Sequence, residues 1–515
     1  MSGSPYYVTT PIYYANADPH IGTLYTTVVA DFLARFHRLL GHDVRLTTGS
    51  DEHGEKIFQA ALARGEPAQV FVDRVAASFQ SAWGAFLVGD HTFVRTTDSM
   101  HAAVVRDALE RVRAAGDVYF AEYEGRYCVG CERFLAEREL VDGRCPDHDR
   151  APEPRREGNW FFRMGRYQDD IRRAIQVNPA LITPERYRNE TLAMLAEPVG
   201  DLSISRPRTR VPWGIPVPWD PSQVTYVWFD ALLAYLTALD GDERHRSWPA
   251  AHHLIGKDIL KPHAIFWPAM LLAMGLPVYR RLLVGGYLLG ADGRKMSKSL
   301  GNVVDPFTLA AAFGPDAVRY YLLREFPYGQ DGSVSAAALQ ARYTADLANT
   351  LGNLVNRVRT MILRYRDGVV PEGHASPADR ELVDGGASLL ARVTPLVDDL
   401  YFHRALEQAM AFVQSLNRYV DETQPWQLAK SMGAAERLDA VLANLVEGLR
   451  IASGVLAPAM PGKAAEVRGS LGLDPPGHDA LDHWTSTCAG RRVPREAPLL
   501  FPPVAWPLED APPRP

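Results

Sequence analysis

The chain is poor in cysteine: four in 515 residues. That excludes a disulfide scaffold and points to a reducing compartment, so a cytoplasmic protein is expected. Long apolar runs are also missing; none approaches the roughly 18 residues a spanning helix needs, and no membrane partner is expected. The opening stretch MSGSPYYVTT lacks a basic region followed by an apolar core, so no signal peptide is expected. There is no internal repeat and no excess of positive charge; the formal net charge is −6. An acidic total does not exclude RNA, because a large body can carry a local basic face. What is present is the composition of a globular protein, 47% hydrophobic and 23% charged, in a chain long enough for two to four domains.

YYVTTPIYY reads as a buried strand, and the helix after Gly22 runs to about Leu40, where Gly41 stops it. DVRLTTGSDEHG is a second strand ending in a polar loop at Asp51, followed by a helical stretch and a strand near DHTFVRTT. This alternation predicts an α/β fold with a doubly wound parallel sheet, whose ligands bind beyond the carboxyl ends of the strands, where PHIG and SDEHG lie. From about Tyr119 the texture becomes strand-and-turn, as in an insertion. Apolar strands are expected to return at VTYVWFDALLAYL, AHHLIGKDIL and RLLVGGYLLG. Beyond about Ala336 the pattern is helical almost throughout, and the last stretch is Pro-rich and extended, expected to pack back as an ordered strap.

Two local patterns carry chemistry. Cys128-x-x-Cys131 and Cys145-x-x-His148 offer four soft or borderline ligands on two tight turns, the spacing of a closed, structural tetrahedral zinc site. Cys488 stands apart and reads as a buried apolar residue. Far downstream, LLGADGRKMSKSLGN places Lys295 and Lys298 on a loop rich in small hydroxyl residues just after a strand. Two mobile point charges suit a clamp on a polyphosphate. Such a lysine pair is weak alone, but with His20-Ile21-Gly22 at a helix start the two signals reinforce each other.

These residues resemble the HIGH and KMSKS motifs of class I aminoacyl-tRNA synthetases. KMSKS is complete at Lys295, Met296, Ser297, Lys298 and Ser299; HIGH is present as His20, Ile21, Gly22 and Thr23. Within the class, YYVTTPIYYANADPHIG, TGSDEHGEKI, YCVGCERF, RVPWGIPVPW, VTYVWFDALLAYL, LIGKDILKPHAIFWPAM and GRKMSKSLGNVVDP resemble the methionyl branch of bacterial type with one zinc knuckle. The resemblance implies a Rossmann-like catalytic domain at 1–117 and 223–290, a zinc-binding connective insertion at 118–222, a KMSKS loop and stem-contact region at 291–345, an all-α anticodon-binding domain at 346–490 and the strap at 491–515. It implies ATP with Mg2+, L-methionine and initiator and elongator tRNA(Met) as partners. The reaction is adenylation of methionine, then transfer to the terminal ribose, 2′-hydroxyl first.

Carried over position by position, His20, Gly22, Thr23 and Lys295 to Ser299 would bind ATP, with His20, Thr23, Lys295 and Lys298 serving catalysis from two sides of one triphosphate. Pro11, Ile12, Tyr14, Trp228, Ala231, Leu232, Tyr235 and His263 would wall the methionine, and Asp51 would hold its ammonium. Asp258 would either cap a helix or belong to the adenylate site. Asn353 and Arg357, one turn apart on a helix, and Trp426 would read the anticodon. Thr23 departs from the motif, whose last residue is histidine. A charge-assisted bond contributes roughly 1.5–3 kcal/mol and a neutral one about 1, so a deficit on the order of tenfold is expected. A catalytically impaired paralogue that binds tRNA or methionine is the main rival. A free-standing nucleotidylyltransferase is the other, but it has no use for the helical half. The short insertion leaves no room for the editing domain of relatives that charge branched amino acids. Without an appended oligonucleotide-binding barrel, a monomer is expected.

Overall fold

The computed structural model describes residues 3–128, 133–135, 137–146, 149–296, 304–476, 481–485 and 488–504. It divides into two compact units. The first comprises Met1–Pro19, His42–Trp83 and Asp90–Gly285; the second comprises His20–Gly41, Gly84–Gly89 and Gly286–Pro515.

The first unit is built on a six-stranded sheet. Its strands, numbered in chain order, are β1 (Pro5–Tyr14), β2 (Asp43–Asp51), β3 (Thr92–Arg95), β4 (Ile182–Thr183), β5 (Ala251–Gly256) and β6 (Arg281–Gly285), in the spatial order β3-β2-β1-β5-β6-β4. Every pair is parallel. The strand order reverses between β1 and β5, which is where a doubly wound sheet opens a crevice at its carboxyl edge. β1 is interrupted there: its pairing with β2 shifts register between Thr9 and Ile12, and Pro11, which has no N–H to give the ladder, sits at the shift. Beyond it the strand alternates again. Tyr13 is buried, stacked on Phe79 at 5.3 Å and beside Trp83 at 5.6 Å, while Ile12 and Tyr14 on the other face stay half-buried.

Between β3 and β5 lies the insertion. One antiparallel sheet joins Arg133–Leu135, Val118–Cys128, Glu153–Phe162 and Leu202–Ser203; another joins Pro216–Val217, Asp220–Thr225 and Ser205–Pro207. One expectation fails here. VTYVWFDALLAYL is a strand only through Thr225, and the rest forms two short helices, Val227–Ala231 and Ala234–Thr237. The run is apolar on all sides because it is enclosed on nearly all sides, from Phe229 to Leu236, and uniform burial erases the periodicity that separates strand from helix.

The second unit is mainly helical, and its helices begin earlier than the pattern suggests, at Pro306, where the Asp305 side chain accepts from the Phe307 and Thr308 amides at 3.3 and 3.2 Å. The extended residues 492–504 run along the helices at 336–366. Tyr343 donates to the Pro502 carbonyl at 2.8 Å, and Arg359 Nε donates to that of Pro494 at 3.2 Å. The helix Ile21–Leu39 belongs to this unit through a buried ion pair. Arg319, wholly enclosed, reaches Asp31 at 2.6 Å and also donates to the carbonyls of Phe86, Pro458 and Ala459 at 3.0–3.1 Å. Asp31 also accepts from Arg35 and the Gly89 amide, each at 2.8 Å. Burial alone would raise its carboxyl; the two guanidinium groups and these bonds hold it below the usual range. Among the described residues no helix is long and apolar enough to cross a membrane.

Because breaking a buried pair strands a charge, Arg319→Met is expected to lower the stability measured by urea unfolding by about 3–5 kcal/mol. The double variant with Asp31→Leu is expected to recover part of that loss.

Candidate functional site

In the first unit, side chains from four stretches gather near the carboxyl ends of β1, β2 and β5. β1 ends with Pro11, Ile12 and Tyr14, and β2 with the buried Asp51. Trp228, Ala231 and Leu232 lie in and just after the helix Val227–Ala231, and Tyr235 is in the next one. His263 comes from a single wide turn at Pro262–Phe266, following β5. The tyrosine and histidine form a fixed pair. The Tyr7 hydroxyl donates to the Tyr235 carbonyl at 2.9 Å, and the Tyr235 hydroxyl lies 2.8 Å from His263 Nε2. His263 Nδ1 lies 2.9 Å from the Ile259 carbonyl, which can only accept. Nδ1 therefore carries the proton, and Nε2 accepts from Tyr235. Burial pushes His263 down to about 4, and burial, with the ionisable groups of Tyr7, Tyr13 and Asp51 nearby, pushes Tyr235 well above the ordinary phenol value. Both groups are neutral at pH 7. Trp228 meets His263 edge-on at 6.0 Å and remains half-buried. The result is a neutral aromatic wall with one polar handle, and Asp51 is within electrostatic reach of Tyr235. Asp258 lies in the turn Lys257–Ile259 after β5 rather than at its cap, which is Gly256.

In the second unit, His20 is the cap of the helix Ile21–Leu39. Its Nδ1 accepts from the Gly22 amide at 3.1 Å and the Thr23 amide at 3.4 Å, while the Thr23 hydroxyl accepts from the His20 amide at 3.0 Å. This is a reciprocal capping box with an imidazole in place of the usual hydroxyl. With Nδ1 accepting, the imidazole proton sits on Nε2, and the side chain is exposed. Gly22 leaves room for the same geometry: a Cβ there would lie 3.0–3.1 Å from the imidazole ring, a tight contact. Lys295 follows a tight hairpin in which the Gly290 amide donates to the Arg294 carbonyl at 2.9 Å and Gly293 takes φ +72°. It is exposed, pairs with Leu289 through a β-bridge, and its ammonium lies 5.2 Å from the Tyr287 ring centroid. The hairpin is seated at Gly286, where a Cβ would fall 2.2 Å from the Gln330 carbonyl oxygen. Met296 is half-buried; Ser297, Lys298 and Ser299 lie outside the described residues.

Cys128 and Cys145 are both buried in one small cluster with Leu135 and Leu140. Cys145 opens a tight turn, accepting from the Asp149 amide at 2.8 Å and donating to the Arg150 carbonyl at 2.9 Å. Cys131 and His148 lie outside the described residues, and among those described no three ligating side chains converge. Cys488 is buried, its thiol pushed up to about 12 by burial and by Glu447 3.3 Å away. Asn353 is exposed at the start of the helix Asn353–Arg366. Arg357, one turn on, pairs with Asp421 at 2.9 Å, near the end of the helix Phe402–Thr423. Trp426 follows that helix by three residues, half-buried in the short helix Pro425–Leu428.

Sequence reasoning missed Asp230, His53 and His101. Asp230 is fully buried between the wall residues, 2.6 Å from His53 Nδ1 and 2.7 Å from His101 Nε2. A lone acidic residue inside VWFDALL signals a buried polar partner, but the identity of that partner is not local.

His252 and His263 are each pushed by burial down to about 4, and His253 lies well below the ordinary value of 6.5. Between those values the unfolded chain binds protons that the folded chain refuses. Stability is therefore complete above about pH 6.5 and falls as the pH drops toward 4, by on the order of 3 kcal/mol for each of His252 and His263. Thermal unfolding followed across that window is expected to show the fall, and His263→Asn is expected to lessen it by that residue's share, leaving the part due to His252 and His253.

A family model described as tRNA synthetases class I (M) matches residues 6–151 and 148–359. The chain is 50% identical over 506 residues to a methionine–tRNA ligase of Deinococcus radiodurans, covering 96% of this chain and 74% of that one. It is 42% identical over 509 residues to one of Clostridium perfringens, covering 98% and 78%. A solved Mycobacterium tuberculosis methionyl-tRNA synthetase in complex with methionyl-adenylate matches with a TM-score of 0.92 at 40% identity, over 97% of this chain and 100% of that one. The chain belongs to the class I tRNA synthetases of the methionine branch, the methionine–tRNA ligases.

Proposed function

We propose that the chain activates L-methionine with ATP and esterifies it to initiator and elongator tRNA(Met), as a cytoplasmic monomer. The observation that carries the reading of the site is the Tyr235–His263 pair. It sits at the reversal point of the sheet and is held neutral by burial. A thioether is apolar, polarisable and flexible; it suits an aromatic wall without charge. Pro11, Ile12, Tyr14, Trp228, Ala231, Leu232, Tyr235 and His263 line the slot in this reading. Asp51 pairs with the substrate ammonium, leaving the carboxylate as nucleophile.

In the first step a methionine carboxylate oxygen bonds to the α-phosphorus of ATP as the bond to pyrophosphate breaks. In the second a hydroxyl of the terminal ribose attacks the acyl carbon of the adenylate, and AMP leaves. Both need alignment and charge stabilisation more than acid–base chemistry. His20 supports this through its Nε2–H, a donor to phosphate oxygen, with Gly22 and Thr23 shaping the cap that presents it. Lys295 and Lys298 would supply positive charge to the phosphates, and Met296, Ser297 and Ser299 complete the motif that binds ATP in this reading. Mg2+ arrives with ATP and offsets phosphate charge. Cys128, Cys131, Cys145 and His148 would hold a structural zinc ion; the two buried thiols packed in one cluster fit such a site. Arg357, Asn353 and Trp426 offer a guanidinium, an amide edge and an indole face suited to unstacked anticodon bases.

Methionine-dependent ATP–pyrophosphate exchange tests the first step. Wild type is expected to be active, and Thr23→His to leave the rate unchanged or raise it by up to about tenfold, the difference between a neutral and a charge-assisted bond. No exchange in wild type, restored by that one change over many orders of magnitude, would establish the impaired paralogue that Thr23 alone favours. Trp426→Ala is expected to weaken tRNA charging far more than exchange; equal losses in both assays would contradict the anticodon assignment.

A further inference from the structure

One buried polar chain has no part in the reaction described above. His53 lies two residues beyond Asp51, His101 in the helix Ser99–Ala114, Asp230 in the helix Val227–Ala231 and Thr237 at the end of the next helix. They connect in series: His53 Nδ1 to Asp230 at 2.6 Å, Asp230 to His101 Nε2 at 2.7 Å, and His101 Nδ1 to the Thr237 hydroxyl at 2.8 Å. His101 and Asp230 are wholly enclosed, and His53 is 7% exposed. Burial would raise the Asp230 carboxyl, but the charge and hydrogen bonds of the two histidines hold it down to about 2.

The far side of His53 is equally constrained. Its ring meets Trp213 edge-on at 5.6 Å, and the Trp213 indole N–H donates to the Glu52 carbonyl at 2.6 Å. The buried Glu52 carboxylate accepts from Arg95 Nε at 2.7 Å and Nη2 at 3.0 Å, and from the Ser50 hydroxyl at 2.5 Å; its amide donates to Thr96 at 2.9 Å. The segment 50–53 is thus bonded on both sides. Asp230, for its part, belongs to the same short helix as Trp228 and Ala231.

We infer that Asp230 and His53 are positioning residues for amino-acid binding: through the His53–Asp230–His101 chain they hold the segment bearing Asp51 at a set distance from the helix bearing Trp228. The device joins the acceptor for the substrate ammonium to the wall for its side chain, so spacing errors are felt by methionine and not by ATP. A buried carboxylate satisfied by two ring N–H groups is suited to this. It tolerates no loss of either partner, because a stranded charge in that interior is costly. The inference rests on the reading of Asp51 and Trp228 as methionine contacts.

The test is ATP–pyrophosphate exchange on the full chain, with methionine and ATP varied separately, on Asp230→Asn, His53→Ala, His53→Asn and Trp228→Ala. Asp230→Asn keeps the shape but turns one acceptor into a donor facing a ring N–H. Loss of a charge-assisted bond predicts a methionine KM raised about tenfold or more, with the ATP KM within about threefold. His53→Ala is expected to do the same. His53→Asn, whose amide N–H can occupy nearly the place of Nδ1, is expected to restore most of the loss, which a merely bulky ring would not. A folded Asp230→Asn with a methionine KM within about threefold of wild type, or an ATP KM rising in step, would overturn the inference. If Asp230→Asn does not fold, the His53 pair decides: equal defects in His53→Ala and His53→Asn overturn it. Trp228→Ala separates the two readings. If it leaves the methionine KM unchanged, the wall assignment itself falls. If it raises that KM while Asp230→Asn does not, only the positioning role falls.

Discussion

The ion pair between Asp31 and Arg319 decides which half of the molecule owns the first motif. The helix that His20 caps follows β1 in sequence, yet its compact unit is the one built from the C-terminal half. The reason is visible in the bonds: one enclosed guanidinium joins that helix to the Phe86 carbonyl and to the turn at Pro458 and Ala459. Arginine suits this place because its planar fork serves several acceptors at once and does not lose its charge. Such a pair contributes little net stability against its desolvation, but it is intolerant of alternatives. The cap at His20 and the hairpin at Lys295, far apart in sequence, are therefore parts of one body.

The aromatic wall of Tyr235 and His263 follows a different logic. The neutral state of His263 comes from burial and from a carbonyl that claims its Nδ1 proton, and the tyrosine hydroxyl then has one orientation toward Nε2. A charged imidazole would favour water or an anion. A neutral one completes an aromatic wall at little electrostatic cost. Discrimination by such a wall is modest per group, so selectivity depends on keeping its shape. Around it the buried polar groups are bonded to one another, Glu52 to Arg95 and Asp230 to its two histidines.

Much of this was legible in the chain. The alternation of strands and helices, the helix start at His20-Ile21-Gly22 and the two motif strings each depend on neighbours within a few residues. Thr23, in the first turn of that helix, completes the capping box with His20. Where the reading failed, local pattern was silent. The stretch 227–237 is apolar all round and does not announce a helix. The helices from Pro306 precede the point where helical pattern becomes obvious. Asp230 and His53 lie far apart in sequence, and nothing near either of them names the other.

The order of residues by itself determined the family, the parallel sheet and the chemical types gathered at its edge, because these rest on short-range pattern and on strings too specific to recur by chance. Only the tertiary structure decided which nitrogen of His20 and of His263 carries the proton, which unit holds the helix Ile21–Leu39, and what Asp230 touches. Those outcomes depend on burial and on hydrogen-bond partners distant in the chain, and neither quantity exists until the chain has folded.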